Sequence, residues 1–306
     1  MSGAAVAADA GAAANDVRRG MALGLLGVVM FAMTLPMTRL AVGDQTAPQL
    51  DPLFVTAGRA AGAGLLSVAW LAWHRVAPPP RHHWRALALS ALGTVLGFPL
   101  FLALALREVD AMHAAVITGV LPLGTAVAAA LSFRQRPSLG FWLCALAGCA
   151  LVLAFAVWRG GGALSLGDGW LLLAVLSTSV GYVAGARVSH AMPASQVICW
   201  ILVGSLPVTL PLALVGWPSE PVRASAWAGF AYVTVFSMWL GFFAWYRGLA
   251  LGGTVRVSQV QLIQPFLALL FAVPVLGETL DAATLLFSLA VIAVVFIGRK
   301  MPVAKR

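Results

Sequence analysis

The spacing of apolar residues leaves this chain few ways to fold. Ten apolar runs, at 20–42, 52–74, 84–106, 111–133, 138–158, 168–190, 194–215, 224–247, 254–276 and 281–298, each approach the length a helix needs to cross a bilayer. The connections between them are short and rich in proline, glycine and charge, as in HRVAPPPRHHWR and VGWPSEPVR. Only 9% of the residues are charged, where a soluble domain carries about 25%, and the mean hydropathy is +0.94. Such a chain cannot cover a water-facing surface. In hydrocarbon each segment must pair its own backbone groups, so the runs are expected to be helices. The expected fold is an all-α membrane protein with ten transmembrane helices.

Charge sets the expected orientation. One set of connections carries Arg18 and Arg19, Arg75, Arg81 and Arg85, Arg134 and Arg136, Arg187, Arg247 and Arg256, and the tail Arg299, Lys300, Lys305 and Arg306. The other carries Asp44, Asp51, Glu108, Asp110, Asp168, Glu220, Glu278 and Asp281, with few positive residues. Positive loops stay in the cytoplasm, so both termini are expected inside, in a bacterial inner membrane, with an even number of spans. Topology thus accounts for the net charge of +9 without a nucleic-acid partner. The run after Arg19 is too long for a signal-peptide core and is kept as a span. The Ala-rich residues before it are expected to be disordered. Cys144, Cys149 and Cys199 lie within apolar runs and read as small buried hydrophobes rather than a disulfide or metal framework. No cofactor is implied.

The segment from Val116 to Leu153 resembles that from Ser258 to Val295, with Pro122 matching Pro265. Each half holds five spans. An odd number per half forces opposite orientations, so the halves form two inverted five-helix repeats, a common plan of secondary transporters. The repeats are expected at 18–160 and 165–299, between a tail at 1–17 and one at 300–306. FAVPVLGETLD (Phe271 to Asp281), GRAAGAGLL (Gly58 to Leu66) and MTLPMTRLA (Met33 to Ala41) make the chain similar to the drug/metabolite transporter superfamily, in its ten-span EamA-like branch. Within it the chain looks most like the YddG-type aromatic amino acid exporters. The first half departs from the pattern: SFRQRPS replaces the acidic turn, and Phe31 and Ala32 replace a tryptophan–glycine pair. The resemblance implies a cavity lined by spans one, three, four, six, eight and nine.

Counting inward from the span ends places Met33, Thr34, Phe98, Phe101, Thr118, Pro122, Ser179, Tyr182, Trp239, Gln261, Gln264 and Pro265 near mid-membrane. Ser258, Gln261 and Pro265 share one face of an α-helix, with Gln264 beside it. A glutamine amide offers two donors and an acceptor, so it can bind a zwitterion without adding charge; the alternative is hydrogen-bonded glue between helices. Gln259 lies nearer the cytoplasm. Pro122 and Pro265 each free a carbonyl one turn earlier and are candidate hinges or static kinks. Phe98, Phe101 and Trp239 would stack on a flat substrate, whereas Trp245 and Tyr246 suit the interfacial belt. Arg59, about two turns into span two, either snorkels or forms a structural salt bridge, or recruits a substrate carboxylate. His113, at the outer end of span four, is a proton sensor or an ordinary interfacial residue.

No Asp, Glu or Lys lies deep in a span, no phosphate-cradling loop is present and no catalytic constellation stands out. A cation–proton antiporter, an ATP-driven pump and an enzyme are therefore disfavoured. The expected function is export of small neutral or zwitterionic metabolites, aromatic amino acids first, by alternating access around a central uncharged cavity. A lipid or lipid-linked sugar flippase and a non-transporting scaffold remain alternatives. The partners are the bilayer and a small molecule; oligomeric state stays open.

Overall fold

The structure, a computed structural model, describes residues 3–134, 136–188, 191–252, 257–301 and 303–304. Among them, nine helices are long and apolar enough to cross a bilayer, and a tenth apolar helix is shorter. In chain order they are α1 (Asn15–Val42), α2 (Pro52–Trp73), α3 (Arg81–Glu108), α4 (Ala111–Ser132), α5 (Leu139–Arg159), α6 (Leu166–Val188), α7 (Ser195–Val215), α8 (Ala224–Gly252), α9 (Val260–Leu276) and α10 (Ala282–Lys300). The order of the ten helices follows the expected plan, nine of them of crossing length among the described residues and α9 shorter. A pairing of Arg136–Pro137 with Val303–Ala304 is the small β addition to this helical fold.

Helix runs back continuously from α1 to Gly3, through a stretch rich in alanine, the strongest helix former. The expectation that all three cysteines are buried needs correction. Of the three cysteines only Cys199 is buried, while Cys144 is half-buried and Cys149 exposed. Apolar character in a span allows a lipid-facing position as readily as a buried one. Leu143, Leu146, Leu176 and Leu286 likewise point out of the bundle, as side chains bathed in hydrocarbon would.

Local chemistry fixes where the helices start. Asp51 accepts from the Leu53 N–H at 2.8 Å, with Pro52 at the first helical position of α2, and Asp281 accepts from the Thr284 N–H at 2.8 Å to open α10. These side chains satisfy donors that a helix N-terminus leaves free. At the other end of α9, Gly277 adopts φ of +71° and terminates the helix, a left-handed cap that glycine reaches without strain.

The packing repeats itself between the halves. α1 lies on α8 as α6 lies on α3; α4 touches α6 as α9 touches α1; and α2–α7, α4–α9 and α5–α10 pack with their own counterparts. Exchanging spans one to five for six to ten maps this contact set onto itself, as two inverted five-helix repeats require. Small residues permit the closest of these approaches. A Cβ on Gly248 would stand 2.6 Å from the Gly24 nitrogen and 2.8 Å from the Gly20 carbonyl, so α1 and α8 meet backbone to backbone.

The connections bearing most of the acidic residues converge on one end of the bundle, where they tie the halves together. The Glu278 carboxylate accepts from the Ala111 and Met112 N–H groups at 2.7 and 2.8 Å, capping α4 from the α9–α10 turn. Arg159 reaches Asp281 at 3.1 Å and Asp110 at 4.0 Å. Arg39 donates to the Leu106 and Val109 carbonyls, and Arg107 to that of Leu50. His113 Nε2 and Asp168 Oδ1 lie 2.6 Å apart, both buried between α4 and α6. His113 is thus part of a buried pair, where an interfacial position was expected.

Candidate functional site

Five spans lose regular α-helical geometry midway, at corresponding places in the two halves where counterparts exist. α1 breaks at Met33, between helical pieces ending at Ala32 and starting at Thr34; Pro36 cannot donate to the Ala32 carbonyl. α3 and α8, equivalent under the repeat, widen into π-helix over Ala91–Gly97 and Val233–Leu240. α4 and α9, also equivalent, break just before their prolines. In α4 the break falls at Gly119 and Val120, ahead of Leu121–Pro122. In α9 a 3₁₀ stretch, Ser258–Ile263, precedes Gln264–Pro265, and the Gln264 N–H bonds to the Gln261 carbonyl. Such departures free backbone groups, which at membrane depth is tolerated beside protein or a cavity, and π segments collect at functional sites.

The breaks surround one cavity of about 110 Å³. A water occupies roughly 10–15 Å³ on this scale, so several waters or a small organic molecule fit. Its wall is mainly apolar, from side chains such as Phe31, Leu35, Phe98, Leu102, Met238 and Phe242. Threonines from α1, α3, α4 and α6 join Tyr182, Ser237, Gln261 and Gln264 as its polar groups. Arg59 is its one charged lining residue among the described residues. The expectation of an uncharged cavity therefore fails. Arg59 is only 3% exposed and points inward, so it does not snorkel. Its Nη2 donates to Ser237 Oγ at 3.0 Å, and that hydroxyl lies 2.8 Å from Thr34 Oγ1, joining α2, α8 and α1. No carboxylate among the described residues pairs with it, so the salt-bridge alternative is not found either.

The residues singled out from the sequence divide into two groups. Thr34, Phe98, Thr118, Pro122, Tyr182, Gln261, Gln264, Pro265 and Arg59 line the cavity. Met33, Phe101, Ser179 and Trp239 do not. Met33 sits at the α1 break. Phe101 faces the other way and stacks on Trp170 with centroids 5.8 Å apart. Ser179 is turned toward Gly124 at the α4–α6 crossing. Trp239 packs on Phe243 at 5.0 Å. The side chains of Ser258 and Gln259 lie outside the described residues. The 3₁₀ geometry also revises the face argument. In a three-residue turn, positions i and i+3 eclipse, so Gln261 and Gln264 share one stripe and both reach the cavity.

Thr94, Thr178 and Ser237 are the polar wall residues that the sequence reading missed. Thr178 stands four before Tyr182, a spacing that puts both on one helical face, so that signal was available. Ser237 lies inside the π segment, where an extra residue per turn re-aims the side chains, and no sequence pattern marks it.

A family model described as the EamA-like transporter family matches residues 18–157 and 165–298. The uncharacterized transporter YdeK of Bacillus subtilis is 42% identical over 288 residues, covering 94% of this chain and 99% of its own. A chloroplastic WAT1-related protein of Arabidopsis thaliana is 26% identical, over 85% of this chain and 66% of that one. An uncharacterized transporter of Synechocystis is 27% identical over 76% of each. A crystal structure covering 92% of this chain and 96% of its own superposes with a TM-score of 0.61 at 17% identity; at that identity the likeness speaks for the fold alone.

Proposed function

Because the chain belongs to the EamA-like transporter family, we propose that it exports small neutral or zwitterionic metabolites, amino acids foremost and aromatic ones first among them. One observation carries the proposal: the broken segments of five spans surround a single mixed apolar and polar cavity. Phe31, Phe98, Tyr182 and Phe242 offer aromatic faces to a flat apolar body, and Gln261 and Gln264 offer amide donors and acceptors to its polar end.

In this reading the cavity is reached alternately from either side of a bacterial inner membrane, with both termini in the cytoplasm and the repeats at 18–160 and 165–299. Pro122 and Pro265 leave α4 and α9 without a full hydrogen-bond ladder, so bending there is cheap. The small-residue crossing of α1 on α8 moves as a rigid unit. With no acidic residue lining the cavity among the described residues, transport follows the substrate gradient or exchanges one molecule for another.

The test is efflux from liposomes holding the purified protein and labelled amino acids. Gln261→Leu combined with Gln264→Leu should slow efflux at least about tenfold, the cost of leaving a substrate's polar groups unpaired in a dry wall, while folding is kept. Normal transport by the double variant removes the glutamines from the site. Absence of any amino acid efflux from the unmodified protein refutes the substrate class.

A further inference from the structure

The geometry points to Arg59 as the group that holds a substrate carboxylate, so that the transported molecule is a monocarboxylate with an apolar body. This rests on the reading of the cavity as the transport site. A guanidinium carries five N–H donors on three nitrogens and stays charged at any physiological pH. Here Nη2 meets the Ser237 hydroxyl, while Nε and Nη1 are buried and meet no acceptor among the described residues. An unpaired charge at this depth is unfavourable without a compensating anion or water. The two unmet nitrogens belong to a side chain in the cavity wall.

The remainder of the wall narrows the anion's chemistry. Arg59 is the one cation there among the described residues, and a single guanidinium balances a single negative charge. A phosphate ester, doubly charged near neutral pH, would leave one charge uncompensated against an apolar lining. A carboxylate matches in charge, and its two oxygens accept from the planar fork. At α9 and α6, Gln264 Oε1 and Thr178 Oγ1 are buried without hydrogen-bond partners among the described residues. The amide oxygen accepts from an ammonium or hydroxyl on the same substrate without supplying a counter-charge. The cavity therefore binds the carboxylate by charge and any amino group by neutral acceptors, an asymmetry that favours acids over amines.

Four probes test this on the purified full-length protein by intrinsic tryptophan fluorescence and by counterflow in liposomes: L-phenylalanine, 3-phenylpropionate, L-phenylalaninamide and inorganic phosphate. Phenylalanine and phenylpropionate should bind and drive counterflow, with the amide weaker by about tenfold or more, since it loses the charged hydrogen bonds. Arg59→Lys, which keeps the charge but not the fork, should weaken both acids by about tenfold and leave the amide unchanged. If phenylpropionate is carried and phenylalanine is not, the carboxylate site stands and the amino acid reading falls. If the amide is carried as well as phenylalanine, the carboxylate site is overturned and the amino acid reading survives. Phosphate displacing phenylpropionate stoichiometrically overturns the choice of anion. Failure of all four probes overturns both readings. The analogue series on unmodified protein decides the matter even where Arg59→Lys fails to fold.

Discussion

Replacing Ser237 by alanine tests the polar junction inside the cavity wall. Ser237 is 4% exposed and makes two contacts: it accepts from Arg59 Nη2 at 3.0 Å and pairs with Thr34 Oγ1 at 2.8 Å. A hydrogen bond to a charged group contributes about 1.5–3 kcal/mol and a neutral one about 0.5–1.5 kcal/mol. Losing both, with the guanidinium left without its protein acceptor, should cost about 2–4 kcal/mol. Water entering the cavity would offset part of this and favour the lower figure. Unfolding free energies in mixed micelles read the loss directly. A cycle with Arg59→Met separates the parts, because the two residues touch and should couple by about 0.5–3 kcal/mol. A Ser237→Ala cost below about 0.5 kcal/mol, or strict additivity with Arg59→Met, would refute the view that Ser237 anchors the arginine.

Three further outcomes are expected. Gly248→Val should destabilise by about 1–3 kcal/mol, because its Cβ meets the α1 backbone at Gly24 and Gly20; Gly169→Ala, where nothing lies within 4 Å, serves as the neutral control in the same unfolding assay. Thr178→Leu should block efflux by filling the cavity, whereas Ser179→Ala should leave the transport rate unchanged. Burial holds the Glu278 carboxyl above its ordinary value of 4.5, partly opposed by the Met112 and Ala111 N–H groups. A carboxyl raised in the folded state binds its proton more tightly there than when unfolded. Its contribution is therefore fully present below about pH 4.5 and declines as pH rises through the folded value. Thermal unfolding from pH 4 to 8 should show that slope in the unmodified protein, and Glu278→Gln should flatten it.

Span positions were legible because burial in lipid imposes length and hydropathy on every segment, and those survive any local distortion. Pro122, Pro265 and the two glutamines were legible for a related reason: polar or helix-breaking residues in an apolar run have few tolerable places. What a helical wheel could not show was which way the distorted turns face. Phe101 and Trp239 were expected in the cavity on depth alone. Each stands within or just after a π segment, whose wider turn breaks the 3.6-residue bookkeeping. Thr178 and Ser179 differ by one position and about 100° of helix, and depth does not distinguish them. Arg59 was recognised as unusual, but whether it faced an acid, lipid or an open cavity depended on α8, which lies 178 residues away at Ser237. Glu278 belonged to a recognised motif, FAVPVLGETLD, whose physical sense emerged when its carboxylate was found capping α4.

The central claim is that one cavity between two inverted halves opens to each side of the membrane in turn. Thr118 lines that cavity, so Thr118→Cys, in a chain with Cys144, Cys149 and Cys199 replaced, places a single thiol there. A membrane-impermeant thiol reagent applied separately to right-side-out and inside-out vesicles measures its access. The thiol should react from both sides, more slowly when L-phenylalanine is present. Reaction from one side alone, or from neither, would contradict the account.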